Sequence, residues 1–405
     1  MKAKAFCYAL LLVGLAGMAH AQTADLQSRI YGRITTDDGD VFEGLIRWDK
    51  NEVSWVDVLD GSKRSMRQGS RERQIEVLGL RIRYDSDDFR GSSRTSGIRF
   101  GHVASLEPAG SETAILFMKN GDEIEFRGGS TDIGSDVREI LVEDPERGEI
   151  ELRWRDIERV DFMQAPRDVE SRYGERLFGT LTTRRGDVFE GFICWDVDEV
   201  LTEDILDGTD RGGRKRKIRF ANIAGIARNN SSSALVTLRN GEDLVLRGSN
   251  DVDDDNRGIL VLDPDLGQVI VPWDEFEEVS FRPVPYAVTF DAFNGTDPLT
   301  GTVYTRDREK FSGVITWDDD EGYGWELLNG DMGDLEFEIE MGMIEQIERI
   351  SSSAAEVTLF DGRVFELRGS NDVNDDNDGI IILMADGDRV EIDWDDFDRI
   401  VFSGR

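Results

Sequence analysis

Apolar and polar residues alternate along most of this chain. In Val188-Phe189-Glu190-Gly191-Phe192-Ile193-Cys194-Trp195 the positions Phe189, Gly191, Ile193 and Trp195 share one strand face, which places the tryptophan on the apolar side. The runs Ala234-Leu235-Val236-Thr237-Leu238 and Leu244-Val245-Leu246 flank Asn240-Gly241, and this predicts a β-hairpin. Asn120-Gly121 and Asp361-Gly362 stand between similar runs. A second spacing closes each stretch: Phe100, Val103 and Leu106, then Phe220, Ile223 and Ile226, then Met341, Ile344 and Ile347 lie three apart. The same holds from Trp154, Trp273 and Trp394 onward. A period of three predicts a short 3₁₀ turn before a closing strand. The expected fold class is all-β.

The patterns recur. Gly39-Asp40-Val41-Phe42-Glu43-Gly44-Leu45-Ile46-Arg47-Trp48-Asp49 returns at Gly186–Asp196 and, more loosely, at Glu309–Asp318. Each long repeat divides into halves that end alike, so six units of about 50 residues are expected. The order within Asn230–Phe281 is hairpin, polar loop, hairpin, 3₁₀ turn, closing strand. This five-stranded order resembles the SH3-like and Sm-like small barrels. In the first halves Gly44, Gly191 and Gly313 lie mid-strand, where such a barrel bends its second strand. The resemblance implies three tandem repeats, each a pair of small barrels, at 29–108 and 109–166, 176–229 and 230–285, and 298–352 and 353–405. Residues 163–175 and 282–298 read as linkers. RNA binding does not carry over, because the loops Asp49–Val53 and Asp196–Val200 lack the Asp-x-aromatic-Met-Asn stretch of RNA-binding Sm-like proteins. Repeated Trp-Asp dipeptides raise a β-propeller as the alternative, but their spacing is uneven.

Residues 1–21 combine Lys2 and Lys4, an apolar stretch from Ala5 to Met18 and the ending Ala19-His20-Ala21, the features of a signal peptide. An exported protein, periplasmic or extracellular, is expected. No later stretch approaches the roughly 20 apolar residues of a membrane-spanning helix, so no transmembrane anchor is expected. Cys194 is the only cysteine beyond that segment, which leaves no intrachain disulfide. The net charge of -36 argues against a nucleic-acid partner, whose phosphates need cationic side chains.

Candidate chemistry gathers in loops. Asp251, Asp253 and Asp255, and again Asp372, Asn374 and Asp376, present oxygen at positions 1, 3 and 5 of a calcium loop. A second register brings in Asp378. No glutamate stands at position 12, and the competing reading is a connection whose Asx side chains cap their own backbone. Basic clusters follow Leu59-Asp60-Gly61 (Lys63, Arg64, Arg67) and Leu206-Asp207-Gly208 (Arg214, Lys215, Arg216, Lys217), whereas the third copy is acidic at Asp331, Asp334, Glu336 and Glu338. These loops are candidate contacts for a protein partner, a second copy or an anionic polysaccharide. Trp55 and Trp325 depart from the strand pattern and are the candidate exposed platforms for sugar stacking. His102 reads as a surface imidazole and Cys194 as a passive thiol; neither has the companions of a hydrolytic triad.

Together these features describe a non-catalytic exported β protein that presents loops for protein contacts, with Ca²⁺ as the candidate ion. Polysaccharide binding is the alternative and hydrolysis the third reading.

Overall fold

The computed structural model describes residues 26–67, 73–77, 80–84, 94–128, 131–294 and 297–404, so the expected signal peptide lies outside the described residues. The fold is all-β: among the described residues 54% are in strands and no helix reaches seven residues. The hairpins expected at Asn120-Gly121, Asn240-Gly241 and Asp361-Gly362 form, with each glycine at φ near 90°. Four of the six expected 3₁₀ turns form, at Phe100–His102, Trp154–Asp156, Phe220–Asn222 and Met341–Met343. At Trp273 and Trp394 the turn is wider, because Phe276 N and Phe397 N donate to Pro272 O and Asp393 O four residues back.

Strand pairing departs from the barrel expectation. Among the described residues no sheet closes into a barrel; there are open antiparallel sheets of ten, ten and eight strands and two two-stranded ribbons, which also differ from the four-stranded blades of a propeller. The first sheet runs Gly148–Leu152, Ile140–Asp144, Val41–Trp48, Tyr31–Thr36, Ile157–Phe162, Val103–Pro108, Thr113–Met118, Glu123–Arg127, Val58–Arg67, Arg94–Arg99. The closing strand Ile157–Phe162 thus lies between Tyr31–Thr36 and Val103–Pro108, and pairing crosses the boundary expected at residue 108. The other two large sheets contain the counterparts of its first eight strands in the same order. The mid-strand glycines have a role beyond bending. Gly44, Gly191 and Gly313 face Gly32, Gly179 and Gly301, and a Cβ at the first three would overlap the backbone carbonyls of Glu143, Leu262 and Leu383. Glycine there permits close approach of the neighbouring strand.

The copies are joined to one another. Leu335–Glu340 of the third copy adds as a strand to Gly267–Val271 of the second, in the register Gln268 to Glu338. Of the segment 282–298, expected as a linker, the described part 282–294 is a docked strap: Phe290 lies on Trp55 with ring centroids 4.6 Å apart, Phe293 meets His102 edge-on, and Lys119 Nζ sits 3.2 Å from the Phe290 ring centroid.

Buried charge completes the joins. Asp57 accepts the backbone N–H groups of Val53 and Ser54 and the guanidinium of Arg176 at 3.0 Å. Asp204 and Glu326 cap the equivalent turns and take Arg47 at 3.1 Å and Lys63. Each cation comes from another copy. Arg99, only 1% exposed, donates to the carbonyls of Asp263 and Pro264 and lies 3.3 Å from Glu340, which also approaches His102 at 3.4 Å. His102 is therefore a buried junction residue and not the expected surface imidazole, because the strap and Glu340 cover it.

Glu338 at the same junction is pushed up to about 8, first by desolvation and then by Asp60 and Glu336, against the opposing hydrogen bond from Gln268. A raised folded-state pKa means that the folded chain holds this proton more tightly than the unfolded chain. The associated stability is complete below about pH 4.5 and is lost as pH rises through 8. Glu338→Gln has no proton to lose. The variant is expected to match the parent near pH 5 and to exceed it by about 2 kcal/mol at pH 9, as read from urea midpoints.

Candidate functional sites

One local arrangement occurs three times. After Trp48, Trp195 and Trp317 the chain turns through two residues at positive φ: Asp49 and Lys50, Asp196 and Val197, Asp318 and Asp319. Paired backbone hydrogen bonds to Glu52, Glu199 and Glu321 close the turns. Aspartate tolerates this region because its side chain bonds locally, whereas a β-branched residue such as Val197, at φ 59°, does not.

The turn then grips the loop that carries the candidate calcium residues. The indole N–H groups of Trp48, Trp195 and Trp317 donate to the carbonyls of Asp132, Asp251 and Asp372 at 2.8, 2.9 and 3.0 Å. The carboxylates of these loop aspartates accept the backbone N–H of Asp60, Asp207 and Asn329. In return Asp49 accepts from Thr131 and Arg138, Asp196 from Asn250 and Arg257, and Asp318 from Asn371 and the Asp378 amide.

The 1-3-5 pattern therefore does not converge on one point. Asp253 and Asn374 accept the amides of Asp255 and Asp376, as Asx turns do, while Asp255 and Asp376 are exposed. Asp251 and Asp372 turn inward instead. Carboxylate oxygens within 4.8 Å of one another group as Asp49, Glu52 and Asp132, as Asp196, Glu199 and Asp251, and as Asp318, Asp320 and Glu321. The glutamates were missed by sequence reasoning although a signal was present: Trp-Asp-x-x-Glu recurs at Trp48, Trp195 and Trp317.

Crowding raises the pKa of these acids. Desolvation followed by neighbouring carboxylates drives Glu52, Asp132 and Glu321 well above the ordinary range and Glu199 to about 9. Desolvation also raises Asp251 to about 6 and Asp372 to about 7, against the amides that hold them.

The three clusters differ in counter-charge. Arg138 bonds Asp49, Asn51 and Asp198; Arg257 bonds Asp196 and Asp198. Despite its desolvation Asp198 stays below the usual carboxylate range, held there by hydrogen bonds from Arg257 and Arg138. In the third copy Asp378 stands where the others have arginine.

The basic loops have different surroundings. Lys63 bonds Glu326 and the carbonyl of Asp320; the side chains of Arg64 and Arg67 lie outside what is described. Ile205–Thr209 and Lys215–Arg219 form a ribbon of their own. Arg214 and Arg216 share Asp210, which the Arg214 N–H and, despite some desolvation, the Arg216 guanidinium hold down at about 2. Lys217 lies 3.7 Å from Asp207, and Lys215 is exposed.

Trp55 and Trp325 are not exposed platforms. They are 0% and 1% exposed, covered by Phe290 and Phe162 in one case and stacked on Tyr323 in the other. The polysaccharide reading loses its stacking surface at these two residues. Cys194 is buried and its thiol is driven well up by desolvation, so it stays protonated. Among the described residues no helix is long and apolar enough to cross a membrane.

No family model matches the chain, and no curated protein matches it in sequence.

Val197→Asn relieves a left-handed β-branched residue while keeping the turn. An increase of about 1 kcal/mol in unfolding free energy is expected from chemical denaturation.

Proposed function

We propose that this is an exported, non-catalytic β scaffold that acts by protein contact, and that a second copy is the partner of its basic ribbon. One observation carries the reading. In the third copy Leu335–Glu340 pairs along its outer edge with Gly267–Val271, whereas among the described residues the corresponding strand Lys215–Arg219 of the second copy has only Ile205–Thr209 as a strand neighbour. An unpaired edge offers backbone donors and acceptors to an incoming strand. The strand corresponding to Gly267–Val271 in the first copy is Gly148–Leu152, which is itself the terminal strand of its sheet.

Charge supports the match. Glu149 and Glu151 are exposed on the acidic edge, and Lys215 and Lys217 on the basic one. Transferring the observed register, Gln268 to Glu338 and Ile270 to Glu336, sets Glu149 opposite Lys217 and Glu151 opposite Lys215. The two edges belong to different parts of the chain, so the contact is heterologous and builds rings or open chains.

Sedimentation velocity tests this. The parent is expected to associate at low salt and to dissociate near 0.5 M NaCl, where screening acts within about 4 Å. Lys215→Glu with Lys217→Glu should remain monomeric, and mixing it with a Glu149→Lys, Glu151→Lys chain should restore association. A parent that sediments as a monomer at low salt and high concentration overturns the proposal.

A further inference from the structure

The groove that the strap fills in the first copy is repeated in the second, where it is open. Gly101 N donates to Trp55 O at 2.9 Å and Lys119 N to His102 O at 3.0 Å; Ala221 N donates to Thr202 O at 2.7 Å and Arg239 N to Asn222 O at 2.9 Å. The pairing of Gly32 with Phe162 returns as Gly179 with Phe281. In the first copy Phe290 and Phe293 occupy the groove, and Lys119 Nζ donates to both of their backbone carbonyls. In the second copy the same place is a cleft of about 470 Å³, bounded in part by Thr202, Phe220, Ala221, Arg239 and Phe281. Trp55, Gly101 and His102 are buried, whereas Thr202 and Ala221 are half-buried and Asn222 is exposed.

The filled groove indicates the chemistry of an occupant for the open one. Phe290 supplies a ring, and Asp291 next to it stands close enough to Lys119 to favour the ammonium charge. Arg239 keeps a cation at that position. It donates through Nε to the Ala221 carbonyl at 3.0 Å and forms no ion pair among the described residues, so its two terminal amino groups can reach an acceptor from outside. Thr202 is smaller than Trp55 and leaves space for an incoming ring beside Phe220 and Phe281. Ala221 closes the other end: a Cβ at Gly101 would lie 2.3 Å from the Phe293 ring, so the Ala221 methyl leaves no room for a second ring there. Pro283 stands where Gln164 accepts the Phe290 N–H, which leaves recognition to the cation and the single ring. At the position of Lys119 and Arg239 the third copy has the uncharged Phe360.

We propose that this second-copy cleft binds an extended segment of a partner protein in which an aromatic residue is followed by an acidic one. The ring enters the space beside Thr202, and the Arg239 guanidinium takes the adjoining carbonyl and carboxylate. The proposal rests on the protein-contact reading, but it uses none of the residues of the basic ribbon or of its acidic partner edge.

The probe is a labelled peptide of residues 286–294, titrated with the whole chain and followed by fluorescence anisotropy. Saturable binding is expected with a Kd of about 0.1–1 mM. Arg239→Ala should weaken it at least about fivefold. Phe290→Ala in the peptide should abolish binding, whereas Phe293→Ala should not weaken it, because that ring has no place beside Ala221. The Lys215→Glu, Lys217→Glu chain should bind the peptide as the parent does, so a failure of self-association leaves this test intact. The proposal is overturned if the peptide does not bind at about 5 mM, if Arg239→Ala leaves binding undiminished, as exchange with the docked strap would, or if binding survives loss of the Phe290 ring.

Discussion

A guanidinium 1% exposed must find partners inside the protein, and Arg99, carried by the first sheet, finds them in two other places: the loop at Asp263 and Pro264 accepts its hydrogen bonds, and Glu340 of the third copy balances its charge. The rest of the assembly is arranged around that requirement. Arg99 and Glu340 occupy the same position in their respective copies, each just before a short 3₁₀ turn. Opposite charges at one duplicated position let two copies face each other where identical residues would repel. Arg219, the residue at that position in the second copy, is exposed and pairs with its own neighbour Glu203.

The period-2 pattern made the strands legible, and the Asn-Gly or Asp-Gly pairs made the hairpins legible, because both depend on residues close in the chain. It also placed Trp48, Trp195 and Trp317 correctly in the core. What lay between copies was not legible. Trp55 and Trp325 depart from the strand pattern because they pack on a strap and on a turn, and no local spacing reports the arrival of Phe290. His102 was misjudged for the same reason. The open sheets could not be told from small barrels by strand order, since closure depends on whether edge strands meet in space.

The acidic clusters were half legible. Asp251 and Asp372 stood out in Asp-rich loops, but a calcium-loop template looked for their companions further along the same loop. Those companions came from the Trp-Asp-x-x-Glu turn more than 50 residues earlier, held in place by an indole hydrogen bond. At position 378 the third such loop carries an aspartate where the other two carry an arginine.

All eight tryptophans of the chain are buried, at 3% exposure or less, and they are distributed through all three copies. Three of them bind by their indole N–H to the loops behind the acidic clusters. The molecule thus carries its own optical reporters. Its native emission belongs almost wholly to indoles shielded from water and from quenchers, so the opening of any one copy uncovers a distinct subset of them and registers as a red shift without an added label.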